Sequence, residues 1–319
     1  MSFPRSDHCN GKTFFYPGER AERGLLDVLR WKLTSRPAAW PKWVELALPA
    51  GPLSPGPDDF VATWIGHSTF LLQTPHGNFL TDPVFSERCS PVNWIGPRRV
   101  HAPGIAFHAL PGIDGVLLSH DHYDHCDLPT LRRLARDHDP LVVAPLGHRA
   151  LLAGAGFSRV VELDWWQTHV WTPDLTTTLI PARHWCRRRF GDTNHRLWGG
   201  FWLRARNRAC YFLGDSGYDA DLFREIARRM GRPDLTLLPI GSYEPRWFMR
   251  GAHMNPAEAV QVHRDLNSRQ SVAMHWGAWQ LTDEARDDPV HALVHARTAV
   301  GLAPELFRVL AAGESITIG

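Results

Sequence analysis

The run GVLLSHDHYDHCDLP, Gly115 to Pro129, sets His120, His122 and His125 with Asp121 and Asp124 in six consecutive positions. GVLLS has the composition of a buried strand, and Asp127 ahead of Leu128 and Pro129 has the form of a helix N-cap with proline in the first turn. The histidines therefore belong to a loop at a strand's C-terminal end. A turn there breaks the alternation that sends neighbouring strand residues to opposite faces, so several side chains can aim at one point. Imidazoles and a carboxylate confined together repel when protonated and lose solvation when left unpaired. A divalent cation removes both costs.

Three later residues end strand-like runs in the same way: His184 in TTTLIPARHW, Asp215 in CYFLGDSGY and His275 in SVAMHWG. With His120, His122, Asp124 and His125 they make seven nitrogen and oxygen donors. Seven is too many for one tetrahedral zinc and suits two metals sharing a carboxylate. Two such cations roughly 3.5–4 Å apart hold a bridging water and lower its pKa until hydroxide exists near neutrality, so no serine or cysteine nucleophile is required. Sulfur donors are absent from the set, which fits two Zn2+ and leaves Mn2+ or Fe2+ open. Taken singly, each histidine is more often a hydrogen-bonded structural residue; the H-x-H-x-D-H run with three spaced followers is not.

The elements that must position these donors are legible as apolar runs of strand length: VATWIG, TFLLQT, NFLTDP, GVLLS, LVVAP, TTTLIPA, GGFWLRA, ACYFLGD, LTLLPIG, SVAMHWG and ESITIG. Helical patterns cover roughly 128–137, 220–230, 256–266 and 289–299. Strands mixed with helices, with several consecutive strands, predict an α/β fold of two packed sheets flanked by helices. Ahead of them lies an arm over residues 1–57, ending in the Pro/Gly-rich connection LALPAGPLSPGPDDF; residues 58–319 form the main domain.

Composition narrows the function classes. Among 319 residues, 44% are hydrophobic and 21% charged, as in ordinary globular enzymes. Lys and Arg number 35 against 33 Asp and Glu, so the charge of +2 leaves no footprint for nucleic acid. Five scattered cysteines without a C-x-x-C pair favour a reducing compartment. The N-terminus has no signal-peptide core, and no run reaches the roughly 18 apolar residues of a spanning helix. The expected location is the cytoplasm, with peripheral contact on the inner face of the membrane as the alternative. ERGLLDVLRWKLTSR keeps that alternative open: Leu25, Leu26, Val28, Leu29, Trp31 and Leu33 among Arg23, Arg30, Lys32 and Arg36 make a basic amphipathic helix. The same helix can instead pack on the main domain.

The histidine run resembles the signature of the metallo-β-lactamase fold superfamily. TWIGHSTFLLQT, LTDPVFSERCSPVNWIGPRRV, ARHWCRRR, LWGGFWL, YFLGDSGY, LPIGSYEPRWFM and HMNPAEAV resemble its branch of N-acylphosphatidylethanolamine-hydrolysing phospholipases D. The resemblance covers roughly Phe60 to Asp283. It implies a four-layer αββα sandwich with the metal site at one edge of two sheets. It assigns His120, His122 and His184 to one zinc, Asp124, His125 and His275 to the second, and Asp215 to both. The implied reaction is phosphodiester hydrolysis that releases phosphatidic acid and an N-acylethanolamine. A homodimer is implied by the resemblance alone.

Around the site, several residues admit two readings. Asp82 in FLTDP either orients a ligand histidine or serves a turn. His67 in WIGHST lies near metals or substrate, or is a structural histidine. His253 and Tyr243 are candidate proton donors to the leaving oxygen, and Tyr243 is also a candidate substrate contact; His253 precedes a helix opened by Asn255 and Pro256, whose amides either bind a phosphate oxygen or are simply capped. Arg187 and Arg188, with Arg183 and Arg189, flank His184 and suit phosphate recognition or solvent. Trp185, Trp198, Trp247, Trp276 and Trp279 divide between an acyl-chain groove and core.

Three functions compete on this basis. The leading one is a dinuclear-zinc phosphodiesterase on phospholipids, with Asp124, Asp215 and His253 as its catalytic residues. The second is a lactonase of the ascorbate-6-phosphate type, acting on a phosphorylated small molecule. A lactonase has no need of the arm, so removal of residues 1–50 should spare it. The third is a metal- or lipid-binding protein without turnover.

Overall fold

The computed structural model describes residues 2–18, 24–46, 56 and 58–318. Most of the Pro/Gly-rich connection, Arg23 and the side chain of Leu25 lie outside the described residues. Six strands come first: β1 (Phe60–Gly66), β2 (Thr69–Thr74), β3 (Gly77–Thr81), β4 (Gly115–Leu117), β5 (Leu141–Pro145) and β6 (Val160–Leu163). Seven follow: β7 (Thr168–Thr172), β8 (Leu175–Ile180), β9 (Gly200–Ala205), β10 (Arg208–Phe212), β11 (Leu235–Pro239), β12 (Gln270–Met274) and β13 (Phe307–Arg308). The last, β14 (Ser315–Ile318), crosses back. The two sheets are ordered β14-β1-β2-β3-β4-β5-β6 and β13-β12-β11-β10-β9-β8-β7.

The helices are α1 (Leu25–Thr34), α2 (Leu128–Asp137), α3 (Arg149–Ala153), α4 (Ala220–Met230), α5 (Arg246–Met249), α6 (Pro256–Asp265) and α7 (Asp288–Ala299). Alternation along the first sheet explains the layering. Phe70, Leu72, Phe79, Leu117 and Val143 join one apolar cluster with Leu179, Phe201 and Phe212 of the second sheet. Their neighbours Leu71, Leu80, Val116 and Val142 instead meet Leu131 and Leu134 of α2 and Leu152 of α3. On the second sheet, α4 and α7 both pack on α6, and α6 packs on β11. The fold is the four-layer αββα sandwich of metallo-β-lactamases, and all five cysteines are free and buried within it.

The four helical patterns match α2, α4, α6 and α7 within a residue. One expected detail differs. The Asp127 carboxylate does not cap backbone amides of α2 but accepts from Ser86 N (3.1 Å), Ser86 Oγ (2.9 Å) and the Thr130 hydroxyl. It therefore ties the Val84–Ser86 loop to the helix that leaves the histidine run.

The arm packs into the sandwich rather than standing off it. Cys9 and Phe14 are buried in the inter-sheet cluster, and Phe14 N donates to Asn194 O at 2.8 Å. α1 docks through Trp31, which stacks on Phe248 with ring centroids 4.8 Å apart. Asp283 holds the next turn, its carboxylate accepting from Ser35 Oγ (2.6 Å) and its carbonyl from Ala38 N (2.9 Å). Leu26, Leu29 and Leu33 of α1 remain exposed. Truncating residues 1–50 would thus remove core side chains, and it cannot serve as a clean separator of substrate classes.

Gly115 opens the strand that delivers the histidine run, and a Cβ there would lie 2.5 Å from the Phe79 ring and 2.7 Å from Trp171. Gly115→Ala is expected to destabilise the protein by about 1–3 kcal/mol through overpacking. A urea transition should move to lower denaturant at unchanged slope; an unmoved midpoint contradicts this account of the inter-sheet layer.

Candidate metal centre

Hairpin reversals leave β1, β3, β4 and β5 running one way in the first sheet, and β8, β10, β11 and β12 running one way in the second. The residues that follow these strands meet at one edge, as expected for chemistry outside the carboxyl ends of parallel strands. His67 follows β1, Asp82 follows β3, His120 to His125 follow β4, His184 follows β8, Asp215 follows β10 and His275 follows β12. The turns that aim them are strained: His67, Asp82, Ser242 and His275 have φ of 54°, 32°, 60° and 59°. Gly214, at φ 67°, makes the same turn for Asp215 without a side-chain penalty.

Hydrogen bonds fix the ring tautomers. His184 Nδ1 faces Ala252 O at 3.0 Å and His125 Nδ1 faces Asp82 Oδ2 at 2.6 Å; both partners only accept, so both Nδ1 atoms carry protons. Ser119 Oγ donates to Asp82 Oδ2 and so accepts from His120 Nδ1 at 2.9 Å. Three Nε2 lone pairs are thereby turned inward. His120 Nε2 and His184 Nε2 lie 3.0 and 3.2 Å from His122 Nδ1. One proton on His122 can serve only one of them.

Asp215 sits between this group and a second. Its Oδ2 is 3.9 and 3.8 Å from the Nε2 atoms of His120 and His184, and 3.2 and 3.1 Å from those of His125 and His275. Asp124 Oδ2 closes the second group at 3.4 Å from His125 and 3.3 Å from His275. The spacings of the second group, 3.1–3.4 Å, are close to the edge of a tetrahedron with bonds of about 2.0–2.1 Å, whereas those from Asp215 to His120 and His184 are longer. His122 Nε2, His125 Nε2, both ring nitrogens of His275 and Asp215 Oδ1 are buried without a hydrogen-bond partner. Convergent lone pairs, carboxylates and orphaned nitrogens fit divalent cations.

The electrostatics agree. Burial first, then the neighbouring imidazoles, push His120 well below the ordinary histidine range; burial likewise lowers His122 and His184. These rings are neutral donors. Burial opposes charge on His275 as well, yet Asp215 and Asp124 together raise it to about 9. That proton demand is what a cation would meet in its place.

Asp82 is fully buried and receives His125 Nδ1, Ser119 N (2.7 Å) and Ser119 Oγ, so one carboxylate steadies both His125 and, through Ser119, His120. His67 Nε2 bonds Asp124 Oδ2 at 3.1 Å, and its ring stacks obliquely on His275 at 4.0 Å. Asp121, between two ligand candidates, turns away to Arg196 Nε at 2.5 Å.

A cavity of about 1340 Å3 opens over Asp124, His122, His184 and Asp215. His253 reaches it, with Nδ1 unpartnered and 3.8 Å from Asp215 Oδ2; burial lowers its pKa to about 4. Arg187, Trp185, Trp198 and Trp247 line the cavity, whereas Trp276 stacks on Trp64 at 5.3 Å and Trp279 is buried against His67. Two expected substrate contacts are not brought there. Arg188 donates to the carbonyls of Asp121 (2.8 Å) and Cys126 (2.7 Å) and lies 4.2 Å over the Tyr123 ring, bracing the histidine loop. Tyr243 lines a separate cavity of about 490 Å3 beside Glu244 and Glu284. At the start of α6 an Asn255–Glu258 capping box takes the amides of Asn255 and Glu258.

Arg246 escaped sequence analysis. It bonds Glu258 Oε2 and the His253 carbonyl, both at 2.8 Å, and so sets the loop that aims His253. Nothing in its spacing marks it, because its partners lie on α6 and in the loop ahead of that helix.

This scaffold and donor set define a metal-dependent hydrolase of the metallo-β-lactamase fold. A family model described as "Beta-lactamase superfamily domain" matches residues 77–276, and the chain belongs to that family. It is similar to N-acyl-phosphatidylethanolamine-hydrolyzing phospholipase D 1 of Caenorhabditis elegans, at 37% identity over 229 residues, 69% of this chain and 64% of that protein. It is also similar to the mitochondrial N-acyl-phosphatidylethanolamine-hydrolyzing phospholipase D of Saccharomyces cerevisiae, at 34% identity over 236 residues, 72% of this chain and 50% of that protein. The chain thus spans less than two thirds of either relative's length. Among solved structures, Igni18, a metallo hydrolase from Ignicoccus hospitalis, shares the fold with a TM-score of 0.60 at 20% identity, covering 82% of this chain and 99% of that one.

Asp82→Asn leaves a single carbonyl oxygen for three donors and turns an NH2 toward one of them. Metal affinity, measured by competition with a chelator, is expected to fall about 10–100-fold while the fold persists. Undiminished affinity would remove Asp82 from the support of this centre.

Proposed function

We propose that this chain is a dinuclear-zinc phosphodiesterase of phospholipase D type, acting on N-acylphosphatidylethanolamine-like lipids. In this reading His120, His122 and His184 would hold one cation, Asp124, His125 and His275 would hold the other, and Asp215 would serve both. The observation that carries it is the Asp215 carboxylate flanked by two donor groups beneath a cavity of about 1340 Å3, larger than the roughly 300–1,000 Å3 of ordinary small-molecule sites. The named activity of the nematode and yeast relatives supports the lipid class.

When bound, two such cations supply an ionised water near neutral pH and neutralise charge on phosphoryl oxygens. The reaction forms one bond from water oxygen to phosphorus and breaks the bond from phosphorus to the N-acylethanolamine oxygen, leaving phosphatidic acid. Asp82, Ser119 and Ala252 hold the ligand rings in one tautomer. His253, neutral at physiological pH, presents Nδ1 to the leaving oxygen. Arg187, exposed on the cavity wall, takes a head-group or phosphate oxygen. Trp185, Trp247 and Phe248 flank the apolar chains.

Lipid must be drawn from a surface. The exposed Leu26, Leu29 and Leu33 of α1, beside Arg30 and Lys32, suit peripheral contact with an anionic leaflet on the cytoplasmic side. Among the described residues, no helix is long and apolar enough to cross a membrane.

Two measurements test the reading. Purified protein should carry about two zinc ions per chain and release N-acylethanolamine in a chelator-sensitive assay, with no opening of phosphorylated lactones. Lactone opening alone overturns the substrate and keeps the centre. Asp215→Asn should lower kcat/KM by about 10³-fold, since the lost charge stabilisation is worth several kcal/mol. Full turnover in that variant contradicts a shared carboxylate.

A further inference from the structure

The family match begins at residue 77, yet the wall of the cavity facing the metal centre is built in part from residues far ahead of it. Asn10, Thr13, Phe15, Tyr16 and Gly18 all line that cavity. They form a tight hook, with bridges pairing Ser6 with Cys9 and Cys9 with Phe14. Asn10 Oδ1 accepts from Lys12 N (3.0 Å) and Thr13 N (2.9 Å), which rounds the tip.

The hook is held to the body by buried and half-buried contacts, with Cys9 and Phe14 sitting in the inter-sheet cluster. Phe14 is buried and Tyr16 donates to Asp219 at 2.9 Å, but the tie at its base is His8. Its ring is buried, with Nε2 2.8 Å from Asp164 Oδ1 and Nδ1 2.6 Å from Asp7 Oδ1. It also stacks on Trp165 at 4.3 Å. Trp165 in turn donates to the carbonyl of Trp198, which lines the cavity. The latch therefore joins the arm, the connection between β6 and β7, and the cavity wall through direct contacts.

We propose that the hook at residues 10–18, latched by His8 to Asp164, is the element that determines which substrates are accepted, by closing the cavity around the apolar chain of an amphiphilic phosphate ester. No hook residue belongs to the donor groups around Asp215. Loosening the hook thus changes how firmly a long chain is held and leaves a small phosphate's contacts with the centre unchanged. Asp164 and His8 are positioning residues; Phe15, partly exposed at the cavity wall, is the contact itself. The proposal rests on the phosphoester reading of the centre.

The test is calorimetric titration of metal-loaded protein with dodecyl phosphate and with methyl phosphate. Asp164→Asn should weaken dodecyl phosphate about tenfold, the effect of losing contact with one or two methylenes, and leave methyl phosphate within about twofold. Phe15→Ala, at a site too exposed to endanger folding, should reproduce the same chain-selective loss. In turnover of N-acylphosphatidylethanolamine, both variants should raise KM with kcat within about twofold. Equal weakening of both ligands, or no weakening of dodecyl phosphate in Phe15→Ala, overturns the proposal. Failure of the lipid reading shows itself separately, as wild-type protein that discriminates dodecyl from methyl phosphate but does not cleave the lipid. Wild-type protein that binds neither phosphate overturns both.

Discussion

Five inward-facing imidazoles and two carboxylates share a largely buried space, and their mutual repulsion is the constraint that the rest of the structure serves. Nitrogens 3.0–3.2 Å apart with their lone pairs converging are tolerable only around a cation and only if no ring can rotate. Rotation is blocked from behind. Ala252 O, Ser119 Oγ and the buried Asp82 carboxylate each accept an Nδ1 proton, and Asp82 is itself fixed at the end of β3. Those backing groups are in turn steadied by their neighbours: Arg246 clamps the loop of His253, which adjoins Ala252, and Arg188 clamps the carbonyls on either side of the histidine run.

Strain concentrates where this demand is greatest. Four non-glycine residues with positive φ sit at the ends of β1, β3, β11 and β12, each at a cost of about 1–3 kcal/mol that the surrounding core must offset. The inter-sheet cluster does so. Phe79 and Phe212 are essentially inaccessible, and the strands they anchor, β3 and β10, end just before Asp82 and Asp215. A parallel arrangement of strand ends places every one of those turns at a single edge, so one rigid layer supports the whole centre.

Much of this was legible before any coordinates, and the reason is local. The H-x-H-x-D-H run, the strand-like stretches before His184, Asp215 and His275, and the four long helices are periodicity and spacing, which a linear sequence carries directly. β6, β7 and β13 were not predicted: VVEL and THVWT carry polar and half-buried residues at a sheet edge, and Phe307–Arg308 is two residues long. α3 and α5 are too short for a helical period to register. Arg187 and Arg188 are neighbours of the same type, and only the packing sends one to the cavity and the other to loop carbonyls. Tyr243 sits one residue from Ser242, which lines the main cavity, yet faces another. The arm is the largest element whose place could not be read, because its anchors at Asp164, Asn194, Asp219 and Asp283 are all far away in sequence.

The two halves of the site therefore rest on different physics. His120, His125, His184 and Asp124 are held by hydrogen bonds to Ser119, Asp82, Ala252 and His67 whose geometry the core enforces, so their arrangement has little freedom. The cavity above them is lined in part by the hook and by α1, whose anchors, among them His8, Phe14 and Trp31, lie apart from the donors. Leu26, Leu29 and Leu33 are left facing solvent on the same helix whose Trp31 lines the cavity. The exposed leucines and part of the cavity wall thus belong to one arm, none of whose residues is among the donor groups.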